Sequence, residues 1–237
     1  DVLGSRGLGD VYKRQFFDKV NTAKNEQTDT WFKGLDRVYN NFVYDYLYPN
    51  PASVLAFIEN HDTDRFLGEG ENLDMLKQAS TLLLTTRRIP QLYYGTEVMM
   101  NGVKSKSDGY VRKDFPGGWT DDKENALTPE GRTRLQNESY NFYRNLLNWR
   151  KGNDVIAKGS MKQFMVQHGV YAYARQYKGK TVFVLLNGTD KEVKLPLKYY
   201  AEVLKDKTQG KDVISGKVTA LNEELTMAPR QSMVIEL

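Results

Sequence analysis

The chain has 237 residues, of which 40% are hydrophobic and 27% charged, so its composition is that of an ordinary globular protein with a buried core. It contains no cysteine, which excludes disulfides and thiolate metal sites but leaves the redox compartment open. The formal net charge is +4, and basic residues alternate with acidic ones along the chain, so we expect no nucleic-acid partner. No apolar run approaches the roughly 18 residues of a membrane span, so we expect no membrane association.

The N-terminal segment 1–15 reads DVLGSRGLGDVYKRQ and has neither an initiator methionine nor the apolar region of a signal peptide. Its glycines follow the spacing G-x-x-G-x-G, which is not that of a phosphate-binding loop. Its end, GDVYKRQ, resembles translated sequencing-adaptor sequence. We therefore interpret residues 1–15 as a non-native artefact segment and expect the natural reading frame to continue upstream.

Residues 28–47 have apolar side chains at helical spacing and predict an amphipathic helix, with a stripe formed by Trp31, Leu35, Val38 and Phe42. The next apolar run, SVLAFI at residues 53–58, is short and is followed directly by polar residues. Such a run is typical of a strand buried on both faces, as in a parallel sheet.

A second helix is predicted over residues 72–86, with Asn72 as its N-cap, and a second strand over QLYY at residues 91–94. Strand, helix and strand in this order, each strand ending in polar residues, indicate an α/β barrel or a doubly wound sheet. In barrels of this kind the active site lies at the C-terminal ends of the strands.

Residues 98–127 are irregular, and a loop of this length between α/β elements is usually functional. Thr128-Pro129-Glu130 predicts the start of a further helix, which Lys151-Gly152 ends. From residue 153 onward, short alternating runs predict an all-β module, most simply a sandwich. Turn signals separate the runs, among them Gln167-His168-Gly169 and Lys178-Gly179-Lys180. The runs are GVYAYARQY, KTVFVLLN, KEVKLPL, AEVLKD and QSMVIEL.

The segment Phe57–Arg65, FIENHDTDR, carries the densest chemistry in the chain, because five of its nine side chains are ionisable or imidazole. The polar end of any strand meets water, but a simple loop does not need this concentration of charge. A metal site with His61 and Asp62 as ligands is disfavoured, because no second histidine lies nearby.

This segment resembles the fourth signature region of the α-amylase superfamily (glycoside hydrolase family 13), at the end of the seventh strand of its (β/α)₈ barrel. Within that superfamily it is most similar to the neopullulanase/cyclomaltodextrinase group. Residues 89–97, IPQLYYGTE, resemble the eighth-strand segment, and residues 108–119, DGYVRKDFPGGW, resemble the loop that follows it. The resemblance covers about residues 16–237.

The resemblance implies a role for each matching residue. Asp62 would be the third catalytic carboxylate, which stabilises the transition state, and His61 would bind the same sugar ring. Asn60 would support the strand end, while Asp108 and Arg112 would hold the next sugar. Arg65 is assigned to the same substrate-binding set. Tyr93 and Glu97 are assigned as supporting residues.

The resemblance also implies a retaining glycosidase acting on α-1,4 or α-1,6 glucosidic bonds in starch, maltodextrin, pullulan or cyclodextrin. Such enzymes need a nucleophile and a general acid about 5–5.5 Å apart. The motifs that would supply them, on the fourth and fifth strands, are absent from this sequence. We therefore expect a C-terminal fragment that is inactive by itself, with residues 16–152 forming the last strands and helices of a TIM barrel and residues 153–237 a β-sandwich domain.

A non-catalytic carbohydrate-binding protein is the alternative function, and upstream sequence would distinguish it from an enzyme. An α-glucan oligosaccharide is the expected partner in either case. No cofactor or metal is expected; calcium stays open, but no motif indicates it. The oligomeric state is unknown, and the family group favours a periplasmic or secreted location over a cytoplasmic one.

Overall fold

The computed structural model describes residues 8–28 and 30–237, with side chains from Gln15 onward. Most of the predicted artefact segment therefore lies outside the described side chains, and residues 1–7 lie outside the described backbone. Helix α1 (Leu8–Ala23) includes residues 8–15 of that segment. Its second half is anchored in the core, where Phe16 and Val20 are buried.

Helix α2 (Leu35–Val43) begins seven residues later than the sequence predicted, and a short 3₁₀ helix continues it. Gly34 precedes it with a φ of 53°, a left-handed conformation that cannot continue a helix backward. The backbone N–H of Leu35 donates instead to Thr28 Oγ1 (2.8 Å). The assignment of Trp31 to the buried stripe is therefore wrong, since this side chain is 70% exposed.

Two short strands, β1 (Leu55–Ala56) and β2 (Ile89–Pro90), pair in parallel on either side of helix α3 (Leu73–Thr85) in the chain. The predicted order of strand, helix and strand is confirmed, as is the N-cap, since Asn72 Oδ1 accepts from Met75 N (3.0 Å). The second strand lies two residues before the predicted QLYY run. The backbone leaves the ladder after residue 91 and turns at 93–96.

The 98–127 region contains one short helix, α4 (Asp108–Val111), among turns. Helix α5 (Arg134–Arg150) follows, so the prediction that Thr128 opens this helix is wrong. Thr133 is the cap: its hydroxyl accepts from Gln136 N, and the Gln136 side chain accepts from Thr133 N. This reciprocal capping box satisfies two N–H groups, whereas the Thr128 hydroxyl accepts from one, that of Gly131 (3.3 Å).

After helix α6 (Asp154–Lys158), the chain forms eight strands and one α-helical turn, which a 3₁₀ helix (Leu197–Tyr200) precedes. In chain order these are β3 (Ser160–Gln167), β4 (Val170–Tyr177), β5 (Lys180–Asn187), β6 (Val193–Pro196), α7 (Ala201–Leu204), β7 (Gln209–Asp212), β8 (Val218–Ala220), β9 (Glu224–Met227) and β10 (Ser232–Glu236). An antiparallel sheet has the order β3-β4-β5-β10-β7-β8, and β6 pairs with β9. The β-rich character of this part is confirmed, but AEVLKD forms α7 rather than a strand.

Both tight hairpins of the large sheet use the predicted turn signals. His168-Gly169 joins β3 to β4 and Lys178-Gly179 joins β4 to β5, and all four residues have positive φ. A two-residue turn with positive φ at both positions matches the right-handed twist of the strands it connects.

The central strands of the large sheet are buried on both faces because alternate side chains enter two different cores. Tyr171, Tyr173 and Val184 pack against the helices, whereas Ala172 and Leu185 pack against β6, β9 and α7. One face of the sheet therefore shares a hydrophobic core with the helical part. Ala56 of β1 and the nearby Ile58 belong to this core, so it holds the end of β1 in place.

Candidate active site

The turn after β1 is built by Asn60 and Thr63. Asn60 Oδ1 accepts from the backbone N–H of Asp62 (2.8 Å), and Thr63 Oγ1 accepts from that of Asn60 (3.0 Å). These side-chain bonds replace the strand ladder that ends here. As a result His61 and Asp62 point outward, and their side chains are 60% and 63% exposed.

Three of the predicted site residues, His61, Asp62 and Asp108, contact the guanidinium group of a fourth, Arg112. Its Nη2 lies 3.2 Å from Asp62 Oδ1 and 3.1 Å from Asp108 Oδ2, while its Nε donates to the carbonyl of His61 (2.9 Å). His61 Nε2 lies 3.3 Å from Asp62 Oδ2. The turn after β1 and the loop after β2 thus meet in one exposed cluster, which we call the strand-end cluster: His61, Asp62, Lys104, Asp108 and Arg112.

Lys104 is the member of this cluster that the sequence reasoning missed. Its Nζ donates to the carbonyl of Asp62 (3.2 Å) and lies 3.3 Å from Asp108 Oδ1. A signal was present, because Lys104, Asp108 and Arg112 recur at intervals of four residues. The carboxylates of Asp62 and Asp108 balance the charges of Lys104 and Arg112. The cluster therefore offers many hydrogen-bonding groups without a strong electrostatic field, which suits a neutral polyhydroxyl ligand.

Beneath the cluster lies a buried ion pair between Glu59 and Arg65, whose side chains are 2% and 0% exposed. The Glu59 carboxylate accepts from Arg65 Nη1 (3.2 Å), from the backbone N–H of Phe66 and from the hydroxyl of Thr96. One side chain therefore closes the 59–66 turn and ties it to the segment after β2. Glu59 stood in the sequence motif but received no role there.

Arg65 connects the same turn to the loop that carries Arg112. Its Nε donates to the carbonyl of Val111 (3.0 Å) and its Nη1 to that of Tyr94 (2.6 Å), and the guanidinium stacks on the Tyr93 ring with 4.0 Å to the centroid. The prediction that Arg65 binds substrate does not fit this geometry, because a fully buried side chain cannot reach a ligand at the exposed cluster. Tyr93, by contrast, has a supporting contact.

The electrostatics of Glu59 are set mainly by its burial. Desolvation raises the pKa of this carboxyl above its ordinary value, and the bonds from Thr96, Phe66 and Arg65 act in the opposite direction. A carboxylate in this position is tolerated because three donors face it.

No group of three or more histidine, cysteine or acidic side chains suited to a metal ion is found in residues 8–28 and 30–237. Within the same part of the chain, no helix is both long enough and apolar enough to cross a membrane.

Comparison with known proteins relates both parts of the chain to starch-acting enzymes. A family model described as the cyclo-malto-dextrinase C-terminal domain matches residues 161–236. An α-amylase from Niallia circulans is 29% identical over 216 residues, which are 88% of this chain and 37% of that protein. A cyclomaltodextrin glucanotransferase from Thermoanaerobacterium thermosulfurigenes is 32% identical over 173 residues, which are 73% of this chain and 21% of that protein. The chain is thus similar to enzymes of the α-amylase family over most of its length.

Solved structures of α-amylase family members share the fold. The Anoxybacillus α-amylase superimposes with a TM-score of 0.73 at 19% identity, covering 93% of this chain and 45% of that one. The α-amylase of Geobacillus thermoleovorans, solved in complex with acarbose, gives a TM-score of 0.71, also at 19% identity, over 93% of this chain and 46% of that one. The chain therefore spans less than half the length of these family members.

Proposed function

We propose that this chain carries the transition-state-stabilising side of the active site of a retaining glycoside hydrolase acting on α-1,4-glucosidic, and also α-1,6-glucosidic, bonds of α-glucans. The observation that carries the proposal is the convergence of His61, Asp62, Asp108 and Arg112 at the C-terminal ends of two parallel strands. This end of a parallel sheet is where α/β barrels hold their catalytic groups. The similarity to α-amylase family enzymes supports the same reading.

In this proposal β1 and β2 are the seventh and eighth strands of a (β/α)₈ barrel. The nucleophile and the general acid would come from the earlier strands, in sequence outside these 237 residues. The small share of each relative that the chain covers, 37% and 21%, supports this division. So does the two-stranded parallel sheet, because a pair of two-residue strands needs further strands beside it for stability.

In this proposal each residue of the strand-end cluster has a separate role. Asp62 accepts hydrogen bonds from sugar hydroxyls, and these bonds strengthen as positive charge develops on the ring in the oxocarbenium-like transition state. His61 donates to the same ring. Arg112 and Lys104 hold Asp62 in place, and Asp108 presents its carboxylate to the neighbouring sugar. Arg65 and Glu59 position the two loops relative to each other without touching the ligand.

The test is hydrolysis of maltotriose by the chain expressed together with the coding sequence that precedes it. Replacing Asp62 by Asn should lower kcat by about 100-fold or more with little change in KM, because the lost contact acts chiefly in the transition state. The 237-residue chain alone should release no reducing sugar.

A matched control is Asp74→Asn, which removes another exposed carboxylate, on α3 and outside the cluster. This variant should keep the wild-type kcat. Hydrolysis by the 237-residue chain alone that depends on Asp62 would contradict the proposed division of the active site. An unchanged kcat in Asp62→Asn would contradict the role of the cluster.

A further inference from the structure

A second feature of this protein is the loop of residues 30–34, whose backbone is bonded to side chains at Phe32 and Gly34. The backbone N–H of Phe32 donates to Asp36 Oδ2 (2.7 Å), and that of Gly34 donates to Glu26 Oε2 (2.7 Å). Glu26 is itself clamped by two 2.7 Å bonds from the guanidinium group of Arg37. Side chains thus take the place of a helical ladder for residues 32–34 of the loop.

This loop exposes two neighbouring aromatic side chains. Trp31 is 70% exposed and Phe32 is 66% exposed. Phe32 also has a φ of 63°, which is rare for an aromatic residue and costs conformational energy. Strained backbone that the surrounding bonds hold in place is commonly found where a protein binds a ligand.

Beside Trp31 lies a cleft between this loop and the turn that joins β3 to β4. It has a volume of about 370 Å³, and its lining includes Thr30, Trp31, Asp36 and His168. At its base the two walls are in close contact, since a Cβ on Gly169 would lie 2.8 Å from the carbonyl oxygen of Thr28. The cleft shares no lining residue with the strand-end cluster.

We propose that this cleft is a second carbohydrate-binding site, which takes a glucosyl unit of an α-glucan chain against the Trp31 indole. A pyranose ring has an apolar face of C–H groups and a rim of hydroxyls. Trp31 supplies a flat apolar surface for the sugar face. Thr30 and the His168 imidazole supply polar groups for the hydroxyls at the rim. The Tyr199 ring lies next to His168, with 6.4 Å between the ring centroids, and adds an aromatic group there.

The size and charge of the cleft favour a sugar over a protein partner. Its volume falls in the range of small-molecule sites, about 300–1,000 Å³. Among the described lining residues no lysine or arginine is present, and the Asp36 carboxylate is buried and already bonded to Phe32 N and Asn40 Nδ2. A neutral, hydroxyl-rich ligand therefore loses no ion pair on binding. The choice of an α-glucan rests on the proposed function.

The test is titration of maltoheptaose into the 237-residue chain, followed by calorimetry and by tryptophan fluorescence. Trp31→Ala should weaken binding about tenfold or more, because the indole provides most of the apolar contact area. His168→Gly should also weaken it, and this substitution removes the imidazole from the opposite wall at a position whose φ of 52° suits glycine. Both variants alter exposed positions and should retain the wild-type Tm.

Trp119→Ala is the matched control, since Trp119 is 64% exposed and lies outside the cleft. This variant and Arg112→Ala should keep the fluorescence change that depends on Trp31. Wild-type affinity in Trp31→Ala would overturn the proposal, as would equal binding of cellohexaose or Trp31-dependent self-association of the chain. These results are separate from the Asp62 experiment, so either proposal can fail alone.

Discussion

Replacing Arg65 by Met removes the cation that joins the two loops of the strand-end cluster while it keeps most of the side-chain volume. The substitution leaves Glu59 buried without its ion-pair partner, and it leaves the carbonyls of Val111 and Tyr94 without their guanidinium donor. Val111 directly precedes Arg112, so the perturbation also reaches the exposed cluster.

The expected cost follows from the contacts that are lost. A hydrogen bond to a charged group contributes about 1.5–3 kcal/mol, and Arg65 donates three. These contributions are not additive, and breaking a buried ion pair by removing one partner typically costs about 3–5 kcal/mol. We therefore expect Arg65→Met to lower the free energy of unfolding by about 3–5 kcal/mol.

The assay is equilibrium unfolding in guanidinium chloride, followed by circular dichroism. Arg134→Met is the matched control, because Arg134 is 83% exposed and its substitution should change the free energy of unfolding by no more than about 0.5 kcal/mol. The Glu59→Gln/Arg65→Met double variant should cost less than the sum of the single variants, since the two side chains are coupled. A cost below about 1 kcal/mol for Arg65→Met would refute the reasoning.

Three further outcomes follow from the buried polar groups and the helix cap. Because burial raises the pKa of Glu59 above its ordinary value of 4.5, the folded protein keeps this proton to higher pH than the unfolded chain does. The free energy of unfolding of the wild type should therefore fall relative to Glu59→Gln as pH rises above 4.5 toward the raised pKa, measured by denaturant titration at several pH values. Thr133→Ala should lower the free energy of unfolding by about 1 kcal/mol through loss of the capping box, whereas Thr128→Ala should not. Arg175→Met should lower the free energy of unfolding by about 3 kcal/mol or more, because the buried guanidinium donates to carbonyls of Thr85, Ile156 and Gly159. An unchanged unfolding midpoint would contradict this prediction.

Several local elements could be predicted from the sequence because short-range chemistry decides them. Asn72 caps α3 through its own side chain, and His168-Gly169 and Lys178-Gly179 form their turns because both residues of each pair adopt positive φ. The order of two parallel strands around a helix follows from apolar runs of characteristic length. In each case the interactions that determine the structure lie within a few residues in sequence.

The elements that were predicted wrongly depend on distant partners. The helix expected from residue 28 begins at Leu35 because Thr28, whose own N–H is held by the carbonyl of Gly188, accepts the N–H of Leu35. AEVLKD alternates like a strand, yet it forms α7, which packs Val203 and Leu204 into the core beneath β4 and β5. Hydrophobic spacing alone cannot distinguish these outcomes.

For the strand-end cluster, the sequence by itself determined the chemistry at the end of the buried strand, which is a carboxylate, an imidazole and an amide, and the family resemblance added Asp108 and Arg112. Only the tertiary structure decided that Arg112 contacts Asp62, that Lys104 joins them, and that Arg65 lies beneath the site rather than in it. The physical reason is that the two loops are joined by bonds between residues about 40 to 50 positions apart in sequence. Burial distinguishes a positioning residue from a binding residue, and it arises only when those loops pack together.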